Sequence, residues 1–238
     1  MSARAPAIGL LLRELPWVAA IAAGPLRRAG GRERLAETNA ERPPVLVIPG
    51  LMANDTAVSM LRRTLSASGY ATYGTKLPLL RGITPELFER ARQRLEQIHE
   101  LHASPVVIVG WSLGGLYARA LAQRHPHVVR MVVTLGTPFS GDRKANHAWR
   151  LYNLLNDHTV DAPSMPDDPT QKPDAHTVAV WSANDGVIAP ECARGLDGER
   201  DVEREMSARH LAFGSSRCAA IEIARIVDQE LYTNAVST

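Results

Sequence analysis

The segment that most constrains the fold is Gly110–Gly115, which reads Gly-Trp-Ser-Leu-Gly-Gly and directly follows the apolar run Val106–Val109. The helix-like stretch Leu116–Leu121 comes next. A strand, a sharp turn and a helix in this order hold a serine at the tip of a strained turn, where glycines let strand and helix approach closely. We expect the Ser112 hydroxyl to lie above the carboxyl end of a sheet. The alternative is a glycine-rich connection with an incidental serine.

Strand-like and helix-like segments alternate along the chain. Continuous apolar runs are typical of strands covered on both faces, and apolar residues at helical spacing indicate helices between them. The predicted strands are Val45–Ile48, Tyr70–Tyr73, Val106–Val109, Met131–Leu135, Thr177–Trp181 and, more weakly, Val202–Met206. The predicted helices are Thr56–Ser68, one that opens at Thr84-Pro85 and runs to about His102, the stretch after Gly115, Trp149–Leu155 and Ser216–Leu231. The alternation predicts a single α/β domain over residues 1–238, with a mostly parallel, twisted sheet and helices on both faces.

The alternation breaks in the segment Ser140–Pro173. This segment has few strand signals and carries four prolines, and only Trp149–Leu155 looks helical. A long stretch without regular structure between two core strands is usually functional. We therefore expect the segment to cover the site and to set substrate size, the alternative being an ordinary surface excursion.

The chain begins with a mostly apolar segment, Ala7–Ala23. Arg13, Glu14 and Pro16 interrupt it, so it lacks the unbroken apolar core of a secretory signal. We expect a helical segment over about residues 1–40 of a cytoplasmic protein. Two alternatives stay open: the helix packs on the domain, or it docks on a lipid surface with the arginines that follow facing anionic headgroups. These arginines are Arg27, Arg28, Arg32 and Arg34.

Composition narrows the range of partners. The 238 residues carry a formal net charge of +2, whereas nucleic-acid binding usually needs a concentrated basic patch, so we expect no nucleic-acid partner. No run of eighteen apolar residues is present, and we expect no transmembrane helix. The sequence has no metal-ligand cluster and no phosphate-binding glycine loop, and we expect no metal and no cofactor. We expect Cys192 and Cys218 to be free thiols, as in a reducing compartment, although the two could pair.

A serine hydroxyl is a poor nucleophile until a base takes its proton, and that base is usually a histidine oriented by a carboxylate. After a turn of this kind the acid and then the histidine follow in the chain. Of the eight histidines, His210 is placed after the last predicted strand and before the last helix, where the base must be. Asp185 directly follows the fifth predicted strand, which favours it as the acid, although Asn-Asp-Gly is also ordinary turn chemistry. Asp197 and Asp201 are weaker alternatives.

Attack on a carbonyl also needs donors aimed at the oxyanion that develops. One expected donor is the backbone N–H of Leu113, directly after Ser112, and the other comes from the loop after the first strand. In that loop Gly50 permits a tight turn, and we expect the Leu51 N–H to be the second donor. The candidate substrate-binding side chains are Met52, Trp111 and Phe139, for which core packing is an equal alternative.

In these motifs the chain resembles the α/β-hydrolase superfamily, and within it the small bacterial esterase- and lipase-type serine hydrolases that carry Pro-Gly in place of His-Gly at the oxyanion loop. The matching segments are Val45–Leu51, Val109–Arg119, Val133–Phe139, Ser182–Ile188 and Arg209–Leu211. The resemblance implies hydrolysis of carboxylic esters, including lipid-like ones, through an acyl-enzyme on Ser112, with His210 as base and Asp185 as acid.

The resemblance also implies that Ser140–Pro173 is a short cap or lid over the site. The segment before Arg42 matches no motif of the family, so its role stays open. The expected partner is a small-molecule ester. Two other functions remain alternatives: an acyltransferase that passes the same acyl group to an alcohol, and a non-catalytic binding protein that retains the fold.

Overall fold

A parallel β-sheet forms the centre of the molecule, of which the computed structural model describes residues 3–22, 42–165 and 167–233. The strands in these ranges are β1 (Val45–Ile48), β2 (Thr72–Gly74), β3 (Val106–Trp111), β4 (Val129–Leu135), β5 (His176–Trp181) and β6 (Val202–Glu205). Neighbouring strands all pair in parallel, in the order β2-β1-β3-β4-β5-β6. Because parallel strands end at the same edge, the loops that follow β1, β3, β4 and β5 meet there.

Helices cover both faces of the sheet. Those in the described ranges are α1 (Ile8–Leu12), α2 (Leu15–Ala22), α3 (Ser59–Ala67), α4 (Pro85–His102), α5 (Leu113–Arg124), α6 (Trp149–Leu155), α7 (Pro190–Arg194), α8 (Ala212–Ser215) and α9 (Arg217–Thr233). Val45 and Val47 of β1 pack into one apolar cluster with residues of α3 and α9, whereas Leu46 and Ile48 pack into a second cluster with residues of α4 and α5. This two-residue alternation of a strand confirms the predicted α/β class with helices on both faces.

Most predicted elements are observed with bounds that differ by a few residues. α4 begins where it was expected to begin, and the Thr84 hydroxyl accepts a hydrogen bond from the Leu87 N–H (3.3 Å), as an N-cap residue does. α3 begins at Ser59 rather than at Thr56. The reason is local, because the Asn54 side chain accepts a hydrogen bond from the Thr56 N–H (3.0 Å) and forms a turn there.

The N-terminal helices pack against the domain beside the loops that follow β5 and β6. The His147 ring donates a hydrogen bond from Nε2 to the Pro6 carbonyl (2.8 Å), and α2 contacts α8. Gly186 lies so close to the Leu10 carbonyl that a Cβ atom there would clash. Packing on the domain, the first of the two alternatives for this segment, is therefore observed for α1 and α2.

No helix in the described ranges is long and apolar enough to cross a membrane. The four predicted headgroup contacts, Arg27, Arg28, Arg32 and Arg34, lie outside the described residues.

The segment between β4 and β5 has α6 as its one helix in the described residues. Arg119 of α5 anchors the last part of this segment, and its side chain is buried with only 1% exposed. The guanidinium donates to the carbonyls of Pro169 (2.6 Å), Thr170 (3.4 Å), Gln171 (3.2 Å) and Glu199 (2.9 Å). These acceptors compensate for the burial of the charge, so this end of the segment is fixed to α5.

Candidate active site

Ser112 lies between β3 and α5, at a turn with strained backbone. Its φ is 54° and its ψ is −118°, a left-handed conformation that is costly for a residue with a side chain. The Ser112 N–H donates to the Leu135 carbonyl (2.8 Å), which ties the turn to the end of β4. A Cβ atom at Gly110 would clash with the Gly114 backbone, and one at Gly114 would clash with the Ile48 carbonyl. Only glycine fits at either position, so the motif is explained by the close approach of β1, β3 and α5.

Asp185 and His210 form a buried hydrogen-bonded pair. His210 Nδ1 donates to Asp185 Oδ2 (2.8 Å), while Oδ1 of the same carboxylate accepts from the backbone N–H groups of Val187 (2.8 Å) and Ile188 (2.8 Å). Asp185 is 1% exposed and His210 is 3% exposed. The carboxylate is therefore fixed on one side by backbone donors and presents its other oxygen to the imidazole. This arrangement assigns the proton to Nδ1 and leaves Nε2 as the proton acceptor.

The environment of the imidazole raises its pKa. Burial by itself would lower the pKa of His210, but the negative charge of Asp185 and the hydrogen bond to it raise the pKa, and the charge of Glu14 adds to this effect. The net result is a pKa above the usual value for histidine. A base with a raised pKa is a stronger proton acceptor, and its protonated form is stabilised in the site.

The turn that carries Ser112 lies next to the hydrogen-bonded pair of Asp185 and His210. The Trp111 indole N–H donates to the His210 carbonyl (3.0 Å), so the residue before Ser112 holds the histidine backbone. A Cβ atom at Gly136, where φ is +53°, would lie 2.9 Å from Asp185 Oδ2 and 3.0 Å from His210 Nδ1. Among the hydrogen bonds of the described residues, the Ser112 hydroxyl makes none to His210. Catalytic hydrogen bonds are often long in the absence of substrate and tighten only when it binds.

The loop after β1 lies directly against Ser112. A Cβ atom at Gly50 would be 3.3 Å from the Ser112 Cβ. Leu51 and Leu113 both line the cleft beside Ser112. Within the described part of the chain, the N–H groups of these two leucines donate to no protein acceptor, whereas the next N–H, that of Met52, is taken by the Leu80 carbonyl (2.6 Å). Two backbone donors next to the nucleophile are what an oxyanion hole requires.

Ser112 forms part of the wall of a cleft that is open to solvent. Most of the lining is apolar. It comes from α5 and from the chain between β4 and β5, and includes Leu116, Ala120, Pro138, Ala148, Trp149, Tyr152, Val160, Pro163 and Met165. Polar lining residues are Gln123, Arg143, Asn146 and Asp167. A mostly apolar cleft that contains a few polar groups suits a small organic ligand.

The three predicted substrate-binding residues do not line this cleft, and this expectation is corrected. Trp111 faces the same side of the sheet as Val109, toward α3 and α9, whereas the cleft lies over α5. Phe139 is buried beneath the Arg119 guanidinium, which lies 4.3 Å from the ring centroid. Met52 is 43% exposed on a turn with a φ of 54°. The sequence placed all three near Ser112, but the alternation of β3 directs Trp111 to the opposite face of the sheet, Phe139 is buried in the core, and Met52 is exposed on a turn.

The other candidate acids and bases are engaged away from Ser112. The Asp201 carboxylate accepts from the N–H (2.8 Å) and hydroxyl (2.9 Å) of Thr177, at the amino end of β5. The Asp197 carboxylate pairs with Arg200 (3.3 Å) and its side chain is fully exposed. Among the histidines, His176 contacts Glu230 (3.2 Å) at the same end of the sheet as Thr177. Thr177, Asp201 and His176 lie at the amino end of β5, whereas Ser112 follows the carboxyl end of β3, so Asp201 and His176 are remote from Ser112.

The described residues contain no group of three or more His, Cys, Asp or Glu side chains that could hold a metal ion. Cys192 is buried and Cys218 is exposed, and both are free thiols. Burial, together with the charges of Glu191 and Asp142, raises the pKa of the Cys192 thiol to about 11. Cys192 is therefore protonated at neutral pH and is an unreactive part of the core.

Comparison with known proteins agrees with this fold. A family model described as the alpha/beta hydrolase fold matches residues 89–163. A pimeloyl-[acyl-carrier protein] methyl ester esterase from Aromatoleum aromaticum is 61% identical over 31 residues, which span 13% of this chain and 12% of that protein.

Solved structures match over much more of the chain. A monoacylglycerol lipase from Paleococcus ferrophilus superposes with a TM-score of 0.57 and 19% identity, over 82% of this chain and 96% of that one. A soluble variant of the monoglyceride lipase from Saccharomyces cerevisiae gives a TM-score of 0.58 and 14% identity, over 85% and 89% of the two chains. The sheet order and these matches show that the chain has the alpha/beta hydrolase fold.

Proposed function

We propose that the protein is a serine hydrolase that cleaves carboxylic esters through an acyl-enzyme on Ser112. The observation that carries the proposal is the buried pair of Asp185 and His210 beside a strained serine in the wall of an apolar cleft. The relatives and structural neighbours support the same reaction, because their names describe esterases and lipases.

The reaction follows from the roles of the groups at the site. Ser112 Oγ attacks the ester carbonyl carbon while His210 Nε2 takes the hydroxyl proton, and the N–H groups of Leu51 and Leu113 stabilise the oxyanion. When the carbon–oxygen bond to the alcohol breaks, the imidazolium returns its proton to the departing alkoxide. A water molecule then attacks the acyl-enzyme while His210 accepts its proton. When the bond from the acyl carbon to Ser112 Oγ breaks, the imidazolium returns that proton to Oγ, and the carboxylic acid leaves.

The shape of the cleft indicates the class of ester. The wall next to Ser112 is apolar and is formed by side chains from the cap and from α5. An apolar wall favours hydrocarbon over polar groups, by about 0.8 kcal/mol for each methylene removed from water. The substrate is therefore an ester with an apolar acyl group, in the small-molecule or lipid-like range.

A chain-length series of p-nitrophenyl esters, from acetate to palmitate, tests the proposal. The expected result is turnover with an optimum at a defined chain length, abolished in Ser112→Ala. Adding a primary alcohol as acceptor separates hydrolysis from acyl transfer, because a transferase would form the new ester in preference to the free acid. Turnover no higher than in Ser112→Ala for every ester would contradict the proposed activity and favour a binding protein.

We also propose that the N-terminal helices touch a lipid surface. Ile8, Leu12, Leu15 and Val18 are each more than half exposed, and the same segment carries the exposed Arg4 and Arg13. Apolar side chains beside cations suit an anionic membrane surface. Co-sedimentation with anionic vesicles, compared with purely zwitterionic vesicles, tests this contact. Leu12→Glu should abolish co-sedimentation, and binding unchanged by that substitution would contradict it.

A further inference from the structure

A carboxylate that the reaction scheme does not use lies behind the catalytic pair. Glu14, in the turn between α1 and α2, is only 3% exposed. Its Oε1 accepts from the backbone N–H groups of Gly186 (2.9 Å) and His210 (2.8 Å), and its Oε2 accepts from the N–H of Leu211 (3.0 Å). The donors are 172 to 197 residues away along the chain, so this contact is made only by the complete fold.

The placement of these donors is informative. Gly186 directly follows Asp185, while the other two donors belong to the loop that carries the imidazole. One carboxylate therefore bridges the two loops whose side chains form the Asp185–His210 hydrogen bond. The close approach of Leu10 to Gly186, where a Cβ atom would clash, brings the bridge into reach. The described ion pairs contain no cation beside Glu14, so its charge is compensated by backbone donors alone.

We propose that Glu14 is a positioning residue. It holds the Asp185 loop and the His210 loop in the relative position that their side-chain hydrogen bond requires, and it adds a second negative charge near the imidazolium that forms during the reaction. The assignment rests on the proposed hydrolase function. Glu14 touches the backbone of His210 rather than the substrate or the reacting nitrogen, so it acts through the histidine. It also gives the N-terminal segment, which matches no family motif, a role in catalysis.

The charges around the imidazole come from both elements packed against it. Asp185 contributes from the loop after β5 and Glu14 from the N-terminal turn, and both raise the pKa of His210 against the effect of burial. Arg209 precedes the histidine, but its guanidinium is turned away and donates to the Asn184 carbonyl (3.1 Å). Removing the Glu14 charge should therefore lower the pKa of His210.

The test is the substitution Glu14→Gln, with Glu230→Gln as a matched control. Glu230 is likewise buried, at 5% exposed, but it pairs with Arg204 and His176 away from the site. We expect kcat of Glu14→Gln to fall by up to about a hundredfold, because small misplacements of a catalytic group have effects of this size. We expect KM to change little, and the acid limb of the kcat/KM profile to move to lower pH. The control should keep the wild-type kcat and profile.

Two outcomes would overturn the assignment. A folded Glu14→Gln variant with wild-type kcat and an unmoved acid limb would show that the carboxylate is only structural. If that variant does not fold, Glu14→Asp carries the test, because it keeps the charge but is one methylene too short to bridge both loops. Its kcat should fall while the acid limb stays near the wild-type pH, and an unchanged kcat would overturn the bridge. Wild-type turnover that persists in Ser112→Ala would instead overturn the hydrolase function on which the assignment rests.

Discussion

The structures on the two sides of Ser112 are held by different hydrogen bonds: side-chain carboxylates accept from the backbone on one side, and side-chain N–H groups donate to the backbone on the other. Behind it, the carboxylates of Glu14 and Asp185 are buried and accept hydrogen bonds from backbone N–H groups. In front of it lies the segment between β4 and β5, which we propose is a cap. Side-chain donors of the buried Arg119 and of Gln123 and Arg143 reach backbone carbonyls of this segment and fix it. Burial lowers the pKa of Arg119 to about 10, so the cation persists at neutral pH.

This difference between the two sides indicates that the residues behind Ser112 act on the rate of the proposed reaction, whereas the cap acts on the choice of ester. Negative charge lies where an imidazolium forms, and the donors that position it belong to short loops at the edge of the sheet. The cap carries apolar side chains over the cleft, and several of its anchors are on the surface, such as the ion pair between Lys144 and Asp161 (2.6 Å). Surface ion pairs add little stability. We therefore expect substitutions behind Ser112 to change the rate, and substitutions in the cap to change which ester is preferred.

The largest expected effect is that of Ser112→Ala. Loss of the nucleophile should lower kcat on p-nitrophenyl esters by about 10⁴-fold or more. Alanine meets the same left-handed backbone conformation as serine, so the thermal unfolding midpoint should stay near that of the wild type. A variant that retains turnover close to wild type would remove Ser112 from the reaction.

The next largest effects are expected for substitutions of His210 and Asp185. His210→Ala should be nearly as severe as the loss of the serine, because the groups act as a unit. Asp185→Asn should be comparable or milder, up to about 10⁴-fold, since the acid orients the imidazole and stabilises its charged form. Steady-state kinetics of both variants, beside His176→Ala at the far end of the sheet, measure this. Full activity in His210→Ala with loss in His176→Ala would move the base elsewhere.

The pH dependence of kcat/KM reports on the charges around His210. Because the folded pKa of His210 is raised, the acid limb of kcat/KM should have its midpoint above about 6.5, the ordinary value for histidine. The raised pKa also contributes to stability: the contribution is complete below the unfolded value and is lost as pH rises through the folded one. A midpoint below the ordinary value would mean that burial outweighs the charges of Asp185 and Glu14.

The smallest expected effect belongs to the cap. Trp149 lines the cleft, whereas Leu154 in the same helix is 81% exposed and does not line it. Trp149→Ala should change the ratio of activities on long-chain and short-chain esters several-fold, since one methylene in an apolar pocket is worth about 1–3 kcal/mol. Leu154→Ala should leave the ratio unchanged. Equal ratios in both variants would show that the cap is only a connection between β4 and β5.

The sequence predicted the parts of this protein that depend on local pattern. Apolar runs predicted the strands, and Thr84 and Pro85 predicted the start of α4. The expected order of serine, acid and histidine led to Asp185 and His210, whose side chains form a hydrogen bond. Each of these signals lies within a few residues of the feature it predicts.

Contacts between distant segments could not be predicted in the same way. Glu14 read only as a break in an apolar stretch, because its three backbone donors lie at least 172 residues further along the chain. The one feature of the sequence that pointed to a role for Glu14 was its position as a lone acidic residue between apolar helical segments. Trp111 and Phe139 were placed near the nucleophile by sequence, but the face that each side chain takes depends on strand alternation and on Arg119. The walls of the cleft, such as Arg143 and Asn146, come from a segment without a periodic pattern.

Labelling with a fluorophosphonate tests the central claim most directly. The reagent forms a covalent bond with an activated serine, so intact-mass spectrometry should show one adduct per chain, and peptide mapping should place it on Ser112. His210→Ala should label far more slowly, and Ser112→Ala should not label at all. Absence of the adduct in the folded wild-type protein, or an adduct on another residue, would contradict a nucleophile at Ser112 activated by His210.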